Sequence, residues 1–270
     1  MKQFVILLAI LLSVAVGTPA GAAEKIGIVL MHGKLGASLG SAHGRQQIGG
    51  RLIAALEGAG YLVATPEMCW SGRRGFDLSY TDCFRDIDAA IGELKAKGAA
   101  AIVVGGLSLG GNAAIGYGAT HSGLLGVLVL APADDPRSKA RRPEIAAVIA
   151  QAQDLMSKGK GDEATWFDDV NTGPRGTYAM KLRTTARIYL SFYGPDSQAS
   201  IPDNTASLSA PILWVAGDND PTQKRGPAFA FDKAPANPLN RYVTVPATHL
   251  ETPDAAREAM LAWLSALAKR

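Results

Sequence analysis

The stretch Gly106-Leu107-Ser108-Leu109-Gly110, followed by Gly111, constrains this chain more than any other. It sits directly behind Ala99 to Gly105, an apolar run that reads as a buried strand. A small-residue helix begins behind it, over Asn112 to Tyr117. In a strand–turn–helix of this kind the serine occupies a strained, positive-φ backbone, tolerable only where its surroundings enforce it. Gly106 and Gly110 are small because side chains there would collide with the neighbouring strand and helix. Ser108 Oγ is thereby held clear of the sheet, and the first amides of the helix point at any anion forming beside it. In a chain with 30 glycines the pattern alone is weak, so the remaining residues must supply the serine's partners.

A chain of 270 residues suits one large α/β domain with a small insertion, and 47% hydrophobic residues suffice for a sizeable core. The net charge of +3 is slight and scattered, without the basic tract that grips nucleic acid. The nearest approach to one, Arg137 to Arg142, reads as a solvated loop. At the N-terminus Lys2 precedes an apolar run, Phe4 to Val16, broken only by Ser13. Small residues from Thr18 to Ala23 then offer a cleavage site. This is expected to be a secretory signal peptide over residues 1–23, followed by a mature domain over 24–270. The expected product is periplasmic or secreted, bacterial, and without membrane attachment after cleavage. In an oxidising compartment Cys69 and Cys83 are a plausible disulfide. Two cysteines are too few for a zinc site, and neither a metal nor a cofactor is expected.

Along the mature chain, Lys25 to Met31 reads as a strand ending at His32-Gly33-Lys34. A helix with Ile48, Leu52 and Leu56 on one face follows, then a strand over Tyr61 to Thr65. A second helix repeats Phe84, Ile87, Ile91 and Leu94 before the Ser108 strand. Gly126 to Ala131 is another buried strand. Such alternation implies βαβ units and a parallel sheet. It breaks over roughly 133–205, where a helix near Pro143 to Ser157 stands in a polar stretch that suits a cap inserted over the sheet edge. It resumes with Ile212 to Ala216, a short helical stretch near 227–233, a strand over Tyr242 to Val245, and a final helix started by Thr252-Pro253.

A serine hydroxyl needs a general base, and the base needs an orienting carboxylate. His249 is the candidate base, in the loop after the last strand. His121 reads as a helix cap, His43 as a solvated loop residue, and His32 as part of its turn. The candidate acid is Asp220, in Gly217-Asp218-Asn219-Asp220-Pro221 at the preceding strand end. Asp218 is the runner-up, and Asp134 or Asp135 an alternative strand end. For an oxyanion hole the backbone amides of Leu109 and Lys34 are expected, with the lysine side chain pointing elsewhere. Gly33, Trp70 and Arg73 are candidate substrate-binding residues. Arg73 and Arg74 suit either an acidic substrate or a solvated loop. Trp166, Phe167, Tyr189 and Phe192 suit either an acyl pocket or packing of the cap.

Leu30-Met31-His32-Gly33, Gly106 to Gly110, Gly217 to Pro221 and Thr248-His249, in that order, resemble the α/β-hydrolase superfamily over nearly all of the chain after residue 23. The resemblance implies a mostly parallel central sheet flanked by helices and a small cap. It also implies a Ser108-His249-Asp220 triad acting through an acyl-enzyme on a small-molecule carboxylic ester. The Glu67 to Ser71 loop and the Tyr178 to Asp203 segment look like those of small bacterial exported hydrolases. Leucine before the serine, where lipases and many esterases carry histidine, dilutes a lipase assignment. Serine in place of aspartate argues against a haloalkane dehalogenase. A thioesterase, acyltransferase or peptidase on the same residues, or a non-catalytic binding protein on this fold, are the alternatives.

Overall fold

A computed structural model describes residues 25–41, 45–173 and 176–269. The expected signal segment and His43 lie outside the described residues. Strand β1 (Lys25–Met31) leads into two-residue strands β2 (Gly36–Ala37) and β3 (Arg45–Gln46), helix α1 (Gly50–Gly58) and β4 (Leu62–Ala64). Helix α2 (Phe84–Ala96), β5 (Ala99–Leu107), α3 (Leu109–Thr120) and β6 (Gly126–Leu130) follow. The chain then leaves the sheet for α4 (Pro136–Ala140), α5 (Pro143–Ser157), β7 (Ala164–Gly173), β8 (Gly176–Thr185), α6 (Ala186–Tyr193) and α7 (Ile201–Ala206). It returns with β9 (Ile212–Gly217) and β10 (Arg241–Val245), and ends on α8 (Thr252–Ala255) and α9 (Arg257–Leu267).

Six strands form one parallel sheet in the order β10-β9-β6-β5-β1-β4. The inner strands are buried on both faces, which is why they read as continuous apolar runs. Their side chains still alternate between two cores, as successive residues of a strand must. Val29, Met31, Val104, Val127, Val129 and Trp214 join α2 and α3 on one face. Ile28, Leu30, Val103, Leu128, Leu130 and Val215 join α1 and α9 on the other, against Leu52, Leu56, Met260 and Trp263. α3 is buried nearly all round, which explains its run of glycines and alanines: the sheet and α7 both pack closely against it.

Three elements differ from the sequence reading: the final helix is two, α8 and α9, divided at Ala256, and the others are α1 and the stretch near 227–233. α1 starts at Gly50, because the Gly49-Gly50 pair opens the helix and leaves Ile48 buried ahead of it. The stretch near 227–233 holds two 3-10 turns, Pro227–Phe229 and Phe231–Lys233. Gly226 at φ 64° and Pro235 bracket it, leaving room for turns alone. Within 133–205, where only the helix near Pro143 to Ser157 is expected, the chain also forms α4, α6, α7 and the β7–β8 hairpin, an antiparallel ladder from Ala164↔Thr185 to Gly173↔Gly176. Its neighbour α6 buries Tyr189, Phe192 and Tyr193, with the Phe192 ring 4.9 Å from Phe76 and 6.5 Å from Trp70.

Candidate active site

Ser108 is the residue between β5 and α3, at φ 58° and ψ −118°. That strain is held by backbone bonds on both sides. Its N–H donates to Leu130 O at 3.0 Å, and its carbonyl accepts from Asn112 N and Ala133 N. Glycine is needed on either side because β1 ends there. A Cβ on Gly110 would lie 2.5 Å from Met31 O and 2.7 Å from His32 O, and one on Gly106 would lie 2.6 Å from Met31 O. Leu109 opens α3, so its N–H is among the helix-end donors that have no partner within the helix. Gly33 closes the same corner, since a Cβ there would stand 3.0 Å from the Ser108 Cβ.

Asp220 and His249 come from the loops after β9 and β10. His249 Nδ1 lies 2.6 Å from Asp220 Oδ2, while Asp220 Oδ1 accepts from Thr222 N at 2.9 Å and Thr222 Oγ1 at 2.8 Å. The carboxyl is buried. Burial alone would raise its pKa, but the His249 bond and charge, with the Thr222 donors, prevail and hold it below the usual carboxylate range. The other acids are committed elsewhere. Asp218 Oδ1 binds Ala247 N at 3.1 Å and Asn219 Nδ2 at 2.8 Å. Asp135 caps α4 through Ser138 N.

Ser108, Asp220 and His249 line one cavity of about 840 Å³. Among the described residues the Ser108 hydroxyl makes no hydrogen bond within the protein, to His249 included. Contacts between a nucleophile and its base are commonly long until substrate arrives, so the missing bond does not separate the two as candidates.

The cavity wall holds a buried quartet that the sequence did not signal. Lys34 Nζ lies 3.0 Å from Asp134 and 2.5 Å from Asp169, and Lys139 Nζ lies 2.7 Å from each of the same two carboxylates. Asn171 Oδ1 accepts from Lys34 at 2.9 Å. Burial pulls the Lys34 ammonium down, but Asp134 and Asp169 outweigh it and raise its pKa above that of an ordinary lysine. Burial pushes Asp169 up, and Lys34 and Lys139 outweigh that too, holding its carboxyl below the usual range. The quartet joins the loop after β1 to α4 and the β7–β8 hairpin. The Lys34 side chain therefore does not point away from the site, as the sequence reading had it. It lines the cavity, drawn in by two carboxylates.

Trp70 and Arg73 need correction as substrate-binding candidates. Trp70 is wholly buried beneath the loop after β1, its Nε1 donating to His32 O at 3.0 Å, and it does not line the cavity. The disulfide between Cys69 and Cys83, Cα atoms 5.5 Å apart, ties this buried segment to the start of α2. Arg73 projects outward, 54% exposed and 3.7 Å from Glu67, away from the cavity. Arg74 braces its own loop through Asp77, Asp86 and Glu67 O. His32 shapes its turn as expected. Its Nε2 accepts from Met68 N at 3.2 Å, so Nδ1 carries the proton donated to Gly33 O at 2.8 Å, and burial keeps its pKa low. Phe167, Tyr189 and Phe192 are core and Trp166 is exposed; none lines the cavity.

Lining residues missed from sequence include Gln47, Lys139, Arg142, Asn171 and Arg225. They come from elements far apart in the chain, and no local pattern marks them. Among the described residues, no group of three or more acidic, histidine or cysteine side chains is placed to hold a metal ion, and no helix is long and apolar enough to cross a membrane.

A family model described as "Alpha/beta hydrolase family" matches residues 28–259. Among solved structures, one reported for LipS and LipT, metagenome-derived lipolytic enzymes, superposes with TM-score 0.62 at 17% identity, over 92% of this chain and 94% of that one. A monoacylglycerol lipase from Paleococcus ferrophilus gives TM-score 0.60 at 21% identity, over 89% and 94%. A thioesterase domain from the curacin biosynthetic pathway gives 0.55 at 16% identity, over 91% and 93%. At these identities the likeness is one of fold. No curated protein sequence matches the chain.

Proposed function

The chain belongs to the alpha/beta hydrolase family, and from that premise we propose that it is a serine hydrolase cleaving small carboxylic esters through an acyl-enzyme. The observation that carries this reading is the 2.6 Å bond between Asp220 and His249 Nδ1, on a cavity that Ser108 also lines. With Nδ1–H donated to the carboxylate, Nε2 is the basic nitrogen. It takes the Ser108 proton as Oγ attacks the ester carbon, and Asp220 stabilises the imidazolium that forms. The tetrahedral oxyanion receives the N–H groups of Leu109 and Lys34. His249 then protonates the departing alcohol, and water, deprotonated by the same nitrogen, releases the acid and frees Ser108. Lipase, esterase and thioesterase structures among the neighbours support acyl chemistry of this kind.

We further propose that the protein acts outside the cytoplasm, which its N-terminal apolar run and its disulfide favour. Fractionation of a tagged full-length chain tests this, and recovery of an uncleaved chain in the cytosol refutes it. For the chemistry, a fluorophosphonate probe is expected to label the purified protein at Ser108, and Ser108→Ala to lose both labelling and ester turnover. Labelling undiminished in Ser108→Ala, or background rates against p-nitrophenyl esters of every chain length, defeats the esterase reading.

A further inference from the structure

We propose that the substrate of this site carries an anionic group, a carboxylate or phosphate, separated from the scissile ester by an apolar span, and that Arg142 and Arg225 receive it. The proposal rests on the esterase reading above.

Lys34, Lys139, Arg142 and Arg225 are the cations on the cavity wall. The two lysines are neutralised inside the wall by Asp134 and Asp169. Neither arginine is paired in this way, although Asp135 attracts Arg225 from beyond ion-pair distance. Arg142 Nη1 donates to the backbone oxygen of Val170 at 3.2 Å, and Arg225 Nη1 donates to Ser138 Oγ at 2.5 Å. Neither guanidinium has an ion-pair partner among the described residues. The acid nearest in the chain of contacts is Asp135, whose oxygens are already taken by Ser138 N and Oγ and by Ile201 N. A guanidinium has five N–H donors. Each arginine thus lends one amino group to a protein oxygen and keeps most of its fork for something else.

The two heads are also tethered. Arg142 Nη1 is bonded to the Val170 oxygen, and the Arg225 guanidinium carbon lies 3.3 Å from the centre of the Phe229 ring. One arginine comes from the segment between β6 and β9, the other from the loop that carries Asp220, so their common ground is the cavity. A pre-oriented guanidinium loses less side-chain entropy on binding, and its planar fork matches the two oxygens of a carboxylate or phosphate. The same cavity presents Leu35, Val170, Met180 and Leu250, which suit an aliphatic spacer.

The test compares p-nitrophenyl butyrate with mono-p-nitrophenyl glutarate on the mature protein. The anionic ester is expected to have the higher kcat/KM by about tenfold or more. Arg142→Gln and Arg225→Gln are each expected to reduce that preference, chiefly through KM, and Arg225→Lys to fall between. In parallel, butyrate, glutarate and 3-phosphonopropionate are titrated calorimetrically into Ser108→Ala protein, with and without the arginine substitutions. Glutarate or 3-phosphonopropionate should bind more tightly than butyrate, with the tighter of the two identifying the anion, and the advantage should vanish with the arginines. Ester turnover without anionic preference, or a preference the substitutions leave untouched, overturns the proposal. If neither ester is turned over and the fluorophosphonate does not label, the hydrolase reading has failed, and the titration alone decides whether an anion site exists.

Discussion

His249 Nδ1 and Asp220 Oδ2 are 2.6 Å apart, although 29 residues separate them in sequence. The bond holds the imidazole in one tautomer and one orientation. Asp220→Asn would present a donor where an acceptor is required, and kcat is expected to fall by about 10⁴ with the fold intact. Asp218→Asn, which alters a turn contact, is expected to cost less than tenfold. Steady-state kinetics of the two variants on one p-nitrophenyl ester checks the assignment, and equal losses would refute it.

Gly110 is a position where even one carbon does not fit, because its Cβ would meet two backbone oxygens of β1 and the residue after it. Gly110→Ala is expected to destabilise by about 1–3 kcal/mol, and to displace Ser108 as well. Gly123, at φ 81° with open space around it, is the control. There alanine meets only backbone strain, about 1 kcal/mol, and activity should survive. Urea titration with an activity assay separates the two.

The quartet of Lys34, Lys139, Asp134 and Asp169 is balanced, so removing one member leaves a buried charge unpaired. Asp169→Asn or Lys34→Met alone is expected to cost about 3–5 kcal/mol, and the pair together markedly less than the sum. A double-mutant cycle by chemical denaturation measures this. Additive losses would show that the quartet does not act as a unit.

The same groups set a pH dependence. Folded Asp169 and Asp220 titrate below their unfolded values, so their contribution is complete above about pH 4 and is lost as pH falls toward their folded values. Folded Lys34 titrates above its unfolded value, so its contribution is complete below about pH 10 and is lost as pH rises through the folded one. Between these limits those three groups leave stability flat, while His32, whose folded pKa lies below its unfolded one because it is buried, adds a loss of stability as pH falls below about 6.5. Melting temperatures across pH 3–11 check it. The acid limb should become shallower in a quartet-free variant, while Asp220 maintains a residual slope.

The disulfide closes a loop of about 15 residues, and its loss is expected to cost about 3 kcal/mol. A Cys69→Ser and Cys83→Ser double variant, compared with wild type by denaturant unfolding, measures it. A protein indifferent to reductant would refute a stabilising role for the bond.

Several parts of the molecule were legible from local chemistry. A strand of a parallel sheet must be apolar on both faces, so β1, β5, β6 and β9 stood out as short apolar runs. Ser108 and Asp220 each follow such a run and His249 follows the edge strand β10, and residues at the carboxyl ends of parallel strands share one edge. The Gly106 and Gly110 spacing carried a steric requirement that can be written down without coordinates. What distance along the chain conceals is different in kind. Trp70 stands in a loop near the site, yet its indole N–H satisfies a buried carbonyl, so burial rather than substrate claims it. Lys34, Asp134, Lys139 and Asp169 form no local pattern. Only the folding of the segment between β6 and β9 over the sheet brings opposite charges close enough, and dry enough, to choose one another. Period and strand ends, both local, are enough to lay out the sheet and the order of its candidate catalytic residues. Which cavity cations are neutralised, and that Arg142 and Arg225 on its wall are left without an ion pair, depends on distances in space that no spacing encodes.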